Sequence, residues 1–324
     1  MVFTHVCTRI WLRTKKLLTN GSLTPQRLRW NCAHSKSRIA SMRDLRFSRT
    51  FTLLQQEGHL ARTSLLAGID LLLRANLDDR KIGNFYSAFF QLTIGIERIL
   101  KLVVITHHML ENDYKPPTDE ELRKKYGHNI KATYLHALSI HNKWGDEKVA
   151  APISGSAEDE ILDFLEKFAN KARYYNLREL NNNTSDRGPL GDWYAICEKV
   201  AGTDIGYVKL NKDAERVMYQ LDQVGLVGYS TRFAFDGHPM TLFDDYWSMH
   251  VIQKTAPHLV WKILQFIKPL YNTLNYIAHE AADFESTKNF KLPVIPHLYE
   301  FFVFALATKA DAMRRKSWAR IFLY

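Results

Sequence analysis

Apolar residues recur at helical spacing along most of this chain. The clearest stretch is residues 84–111, where Phe85, Phe89, Leu92, Ile96, Ile99 and Val103 follow at steps of four, three, four, three and four. Side chains so spaced share one face of a helix, which predicts a long helix with one buried stripe. Residues 50–76 predict another helix, buried through Leu53, Leu60, Leu65 or Leu66, Ile69 and Leu73, with Gly58 and Gly68 weakening it. Pro116-Pro117 followed by Thr118-Asp119-Glu120-Glu121 reads as a loop entering a helix. Thr118 is the expected N-cap and Glu121 closes a capping box. Gly127 interrupts this short helix, and helix resumes from His128 to His141 with Ile130, Tyr134, Leu135 and Leu138 on one side.

Residues 156–180 predict one strong helix through Ile161, Phe164, Leu165, Phe168, Ala172 and Tyr175, stopped by Asn181-Asn182-Asn183. Residues 192–200 and 212–224 read as helices, and 225–235 holds one or two short strands. From Asp244 the helical pattern returns, with Pro257 and Pro269 expected to cut it into segments. Leu259, Ile263, Phe266, Leu270, Leu274 and Ile277 continue an apolar stripe. A last helix is expected over 297–321, its basic end (Lys309, Arg314, Arg315, Lys316 and Arg320) complementing the helix dipole. The fold class is therefore mainly α. The expected parts are a basic arm over 1–49, a helical bundle over 50–183, and a mostly helical region over 184–324 packed on the bundle.

Charge changes this picture in one place. The net charge is +10, yet residues 1–50 alone hold eleven Lys and Arg against the single acid Asp44. The rest of the chain is balanced. Such an arm can hold nucleic acid through phosphate charge or act as an organelle presequence. The expectation here is a third reading, an over-extended start with Met42 as initiator, because residues 1–41 show little sustained periodicity. Cys7, Cys32 and Cys197 are too scattered for a disulfide framework or a zinc knuckle. No apolar run approaches the roughly 18–20 residues that span a bilayer. A cytoplasmic protein without a membrane partner is expected.

Four segments carry a resemblance: Phe85 to Phe90, Gly95 to Lys101, Lys125 to Ile130, and Arg173 to Leu177. In order and character they resemble the HEPN superfamily of small helical bundles, over roughly residues 53–180. The resemblance implies a HEPN-like bundle extended by further C-terminal helices. Catalytic members are metal-independent ribonucleases with an Arg, four to six residues, then a His, and two such motifs usually meet across a dimer. Arg123 and His128 have that spacing; Arg232 and His238 match it too, in turn-like sequence, and are read as a chance match. A histidine titrating near neutrality can move the ribose 2′-hydroxyl proton, and an arginine can neutralise the phosphate. Lys124 departs from the family's Asn, Asp or His after the Arg, and Gly127 puts His128 at an early helix start. That placement is more like the non-catalytic branch, where the His caps or orients a helix.

The expected function is thus a non-catalytic interaction or nucleic-acid-binding module in a prokaryotic defence or stress system. The alternative is a toxin-like endoribonuclease using Arg123 and His128. Candidate partners are RNA, a partner protein or antitoxin, and a second copy in a homodimer. Lys124, Lys125, Arg173 and Tyr174 are the candidate nucleic-acid contacts, since cations and stackable rings suit phosphates and bases. No cofactor or metal is expected. His279-Glu280-Ala281-Ala282-Asp283 approaches a helical zinc motif without a third ligand and reads as a surface helix. His107-His108, His136 and His141 read as surface or partly buried histidines. Trp193, Trp247, Trp261 and Trp318 read as anchors.

Overall fold

Helix α1 (Arg49–Arg74) begins where the Ser48 hydroxyl accepts from the Phe51 amide at 3.1 Å. It buries Leu54, Ala61, Leu65, Ile69 and Leu72 together with Gly58 and Gly68. Leu53 and Leu60, expected on that face, are each 48% exposed. The face that packs is the one bearing the glycines, because it alone allows a close neighbour. The computed structural model describes residues 47–145, 147–171, 175–182 and 187–319.

Helix α2 (Gly83–Glu111) is that neighbour, and all six apolar positions of its predicted stripe are buried. The two helices interlock reciprocally. A methyl group at Gly68 would lie 2.7 Å from Leu92 Cγ and 2.9 Å from the Leu92 backbone nitrogen. One at Gly95 would lie 2.6 Å from Leu65 Cγ and 2.9 Å from the Leu65 backbone nitrogen. The glycines that lower helix propensity are therefore the notches that set the α1–α2 spacing.

A loop leads to α3 (Asp119–Lys125), whose Thr118–Glu121 capping box forms as expected. None of its seven residues is buried. Gly127, at φ +42°, turns the chain into α4 (Ile130–Trp144). Ile130, Tyr134 and Leu138 face the core, whereas Leu135 points outward. The helix expected over 156–180 is two: α5 (Ala157–Asn170) and α6 (Tyr175–Asn182). The Asn170 side-chain amide donates to the Glu166 carbonyl at 3.1 Å at the end of α5. Lys171 leaves helical geometry at φ −132°; Ala172 lies outside the described residues.

Helix α7 (Gly188–Val200) runs into a π-helical turn, Ala201–Ile205, and then α8 (Tyr207–Gln223). Strands β1 (Tyr229–Phe233) and β2 (Pro239–Thr241) form an antiparallel hairpin with Tyr229 opposite Thr241 and Phe233 opposite Pro239. The second strand thus falls beyond the expected window of 225–235.

Helix α9 (Leu242–Thr287) runs unbroken for 46 residues through Pro257 and Pro269, against the expectation that they would cut it. Each proline removes the bond to the carbonyl four residues back. Those carbonyls belong to Gln253 and Gln265, both exposed residues, where water can replace the lost donor. Burial of Leu259, Ile263, Phe266, Leu270, Leu274 and Ile277 on the other side holds the helix together. The final helix expected over 297–321 is also absent. A 3₁₀ segment, Leu298–Leu306, is followed by extended Ala307 and the short α10 (Lys309–Arg314), restarted by a Thr308–Asp311 capping box. Lys309 therefore opens a helix instead of closing one, and Arg320 lies outside the described residues.

Helix α9 crosses α1, α2, α4 and α7. Phe301 fills the notch at Gly58. The buried Asp70 carboxylate accepts from the Ser317 hydroxyl and the Trp318 and Ala319 amides, tying the C-terminal segment to α1. From Phe47 onward the chain is one compact unit, in which 50–183 and 184–324 share a core. Among the described residues no helix is long and apolar enough to cross a membrane.

Gly68→Ala and Gly95→Ala are each expected to lower stability by about 1–3 kcal/mol, since overpacking against backbone outweighs the better helix propensity of alanine. Gly83→Ala, which meets nothing within 4 Å, is the control and should be neutral or slightly stabilising. Urea unfolding midpoints of the three variants check this.

Candidate functional site

Arg123 stands on exposed α3, 3.7 Å from Asp119 one turn back. His128 lies in the turn before α4, with Nδ1 3.2 Å from Glu97 Oε2. Glu97 also accepts from Lys101 Nζ at 2.6 Å, the expected helix pair. Burial pushes the Glu97 carboxyl up, but the hydrogen bonds from Lys101 and His128 outweigh it and hold it below its usual range. The His128 carbonyl accepts from Asn170 Nδ2 at 3.4 Å. No hydrogen bond or ion pair joins Arg123 to His128, so within one chain each is engaged separately. Lys124 pairs with Glu120 at 2.6 Å on the same exposed helix. Arg173 and Tyr174 lie outside the described residues.

Sequence reasoning passed over a cleft of about 250 Å³ beside this turn, between α2, α3 and α4. Val104, Pro117, Leu122 and Tyr126 give it an apolar side. His107, His108, Glu111, Glu121, Lys125 and His136 give it a polar one. His107 is only 9% exposed and its ring lies 5.0 Å from that of Trp144. Its Nε2 is buried without a hydrogen bond, although Glu111 Oε1 is 3.4 Å away. His136 stacks on Tyr126 at 5.6 Å, and Lys125 Nζ sits 5.4 Å from the Tyr126 ring centre.

Burial in this cleft disfavours the charged form of two imidazoles. Burial lowers the pKa of His107; Glu111 opposes this, while Lys143, His136 and His108 add to it. Burial also lowers that of His136, with Lys125 adding and Glu111 opposing. Glu111 Oε1 also meets Lys143 Nζ at 3.2 Å, and Glu121 accepts from the Thr118 amide and hydroxyl. The only sequence sign of this cleft was a His-His pair ending one helix and a further His in the helix after a capped linker.

The second feature is a surface. Helix α8 buries only Leu210, Asp213, Val217 and Leu221, and leaves Tyr207, Val208, Met218 and Tyr219 exposed. The chain after it exposes Val224 and Val227, and β1 holds Tyr229 and Phe233 outward at 75% and 70% exposure. His279, Glu280 and Asp283 lie on the exposed side of α9. Among the described residues no three His, Cys, Asp or Glu side chains converge as metal ligands would. Cys197 is fully buried, and burial pushes its thiol up to about 12, which leaves it inert as a nucleophile. No family model, curated protein or solved structure matches this chain.

The unfolded chain protonates its histidines near pH ~6.5, while His107 and His136 in the folded chain resist protonation to lower pH. The unfolded state then binds more protons, so stability is full above that pH and declines as the pH drops below it. The thermal midpoint is expected to fall between about pH 7 and about pH 5, before most carboxylates titrate. His136→Gln should make the decline shallower, and a parent midpoint flat over that range contradicts the lowered pKa of these two histidines.

Proposed function

We propose that this chain is a non-catalytic, HEPN-like interaction module acting in the cytoplasm within a prokaryotic defence or stress system. The supporting observation is the exposed apolar and aromatic run from α8 through β1, from Tyr207 to Phe233. A monomer gains nothing from holding such side chains in water, and aromatic residues and Met are the types enriched at protein interfaces. Arg123 and His128 fit this reading, since their partners are Asp119 and Glu97.

The occupant of the face is a second copy of the chain. The exposed side of α8 carries both signs, Lys209 and Lys212 with Glu215 and Asp222, so the face does not repel its own copy. A two-fold arrangement would bring it against itself and close the assembly. The full chain is expected to run as a dimer at micromolar concentration by light scattering. Tyr229→Lys with Phe233→Lys should give a monomer of unchanged thermal midpoint. A monomeric parent excludes the self-docking face.

One observation favours the alternative endoribonuclease. Glu97 holds His128 through Nδ1, which leaves Nε2 open for proton transfer in the way an acid orients a catalytic histidine. The test is total RNA incubated with the full chain in EDTA, beside Arg123→Ala and His128→Ala. No cleavage is expected. Cleavage by the parent that is lost in both variants would establish the nuclease.

A further inference from the structure

We propose that Ser317 is the target of a serine/threonine kinase that selects basic substrates, and that its phosphorylation releases the C-terminal segment from α1. This goes beyond the interaction role and does not depend on it.

A sequence pattern and a contact meet at this residue. Arg314-Arg315-Lys316-Ser317-Trp318 sets three cations directly before a serine and a large apolar ring directly after it. Kinases of this class read such a charge pattern with acids in their substrate cleft. Arg314 and Lys316 are exposed, and Arg315 and Ser317 are half-buried. Helix α10 stops at Arg314, and Arg315 is extended at φ −79° and ψ 125°, so the serine stands outside the helix. Its contact is a buried acid. The Ser317 hydroxyl donates to Asp70 Oδ2 at 3.1 Å, the Ala319 amide donates to the same oxygen at 3.2 Å, and the Trp318 amide donates to Oδ1. Asp70 is 7% exposed and Trp318 is fully buried. Residues 317–319 thus form a latch, and the serine hydroxyl is one of its three donors.

Transfer takes place while the segment is transiently open, because the seated Trp318 holds the serine against α1. The kinase passes the terminal phosphoryl group of ATP to Ser317. The Oγ–P bond forms as the bond from that phosphorus to the β,γ-bridging oxygen breaks, ADP leaves with the electron pair, and the hydroxyl proton goes to the kinase's base. The product carries roughly two negative charges near neutral pH and has lost the proton that Ser317 gave to Asp70. Closing would then set a phosphate against a carboxylate where little water can separate them, whereas both are hydrated in the open form. The arginines flanking the latch are engaged already. Arg314 lies 3.6 Å from Asp311, the Arg315 guanidinium sits 4.9 Å from the Trp318 ring centre, and Arg74 Nε donates to the Asp70 carbonyl at 3.0 Å. Repulsion by Asp70 therefore decides the direction of the switch.

The test incubates the full chain with Mg²⁺, ATP and the catalytic subunit of cyclic-AMP-dependent protein kinase, beside Ser317→Ala and Asp70→Asn. Mass spectrometry maps the phosphoryl group and follows hydrogen exchange at the Trp318 and Ala319 amides. Expected is a phosphoryl group on Ser317 of the parent, with no modification at that position in Ser317→Ala. Exchange at the two amides should then rise by at least about tenfold, the loss of one hydrogen bond to a charged group. Asp70→Asn keeps an oxygen for the amides and removes the repelling charge, so phosphorylation should raise its exchange far less. Ser317→Glu, prepared without kinase, repeats the exchange measurement and should lie between the unmodified and phosphorylated parent. Three results overturn the proposal. They are a Ser317 left unmodified in the full chain, exchange unchanged or slowed after modification (the latter marking capture of the phosphate by the flanking arginines), or an equal rise in Asp70→Asn.

Discussion

Two backbone-to-backbone approaches hold this structure in register: Gly68 against Leu92 and Gly95 against Leu65. Each glycine receives the leucine that stands one turn from the other glycine, so α1 and α2 cannot slide or rotate without losing both contacts. Cores are packed as densely as organic crystals, and a methyl group at either glycine has nowhere to go. The interlocked pair is the platform for the other elements. Helix α9 lies across it, Phe301 enters the third notch at Gly58, and Asp70 on α1 collects the Trp318 and Ala319 amides of the C-terminal segment. The same platform positions the cleft, because α2 supplies part of its lining and α4 packs on α2.

Charge is distributed in two ways over this frame. Along α9, His250, Lys254, His258 and Lys262 recur at every fourth position and meet acids from three other elements. His250 and Lys254 reach Asp213 at 3.3 and 3.5 Å, His258 reaches Asp204 at 3.6 Å, and Lys262 reaches Glu158 at 2.6 Å and Asp204 at 3.4 Å. This half-buried seam fixes α8, the π-helical turn and α5 at defined heights on α9. Its ion pairs offset much of their own desolvation and contribute more to register than to net stability. The cleft beside α3 differs. There Glu111 is shared between Lys143 and His107, and Glu121 closes the cap of α3.

Much of the helical layout was legible because it depends on local rules. The stripe from Phe85 to Val103 is buried as spaced, and the Thr118 capping box forms as written. The Glu97–Lys101 pair closes, and Trp193 and Trp318 are core anchors. Failures cluster where distant partners decide. Leu53 and Leu60 lost their place to a glycine face selected by α2. Pro257 and Pro269 did not break α9, because the carbonyls they orphan belong to exposed residues while its other side is buried. The final helix gave way to a 3₁₀ segment and a restart at Thr308, whose capping signal was present in the sequence and was outweighed by the apolar run before it.

The sequence by itself determined a mainly α chain, the positions of most helices and the concentration of excess positive charge before residue 50. These depend on spacing, caps and composition, which act over a few residues. Only the tertiary structure decided which side of α1 is inside, that α9 runs unbroken, and that Arg123 and His128 have separate partners. It alone brought His107 and Lys125 to one cleft with His136 from the next helix. Those outcomes depend on distances between helices, and such distances are set by packed side chains and close backbone contacts far apart in the chain.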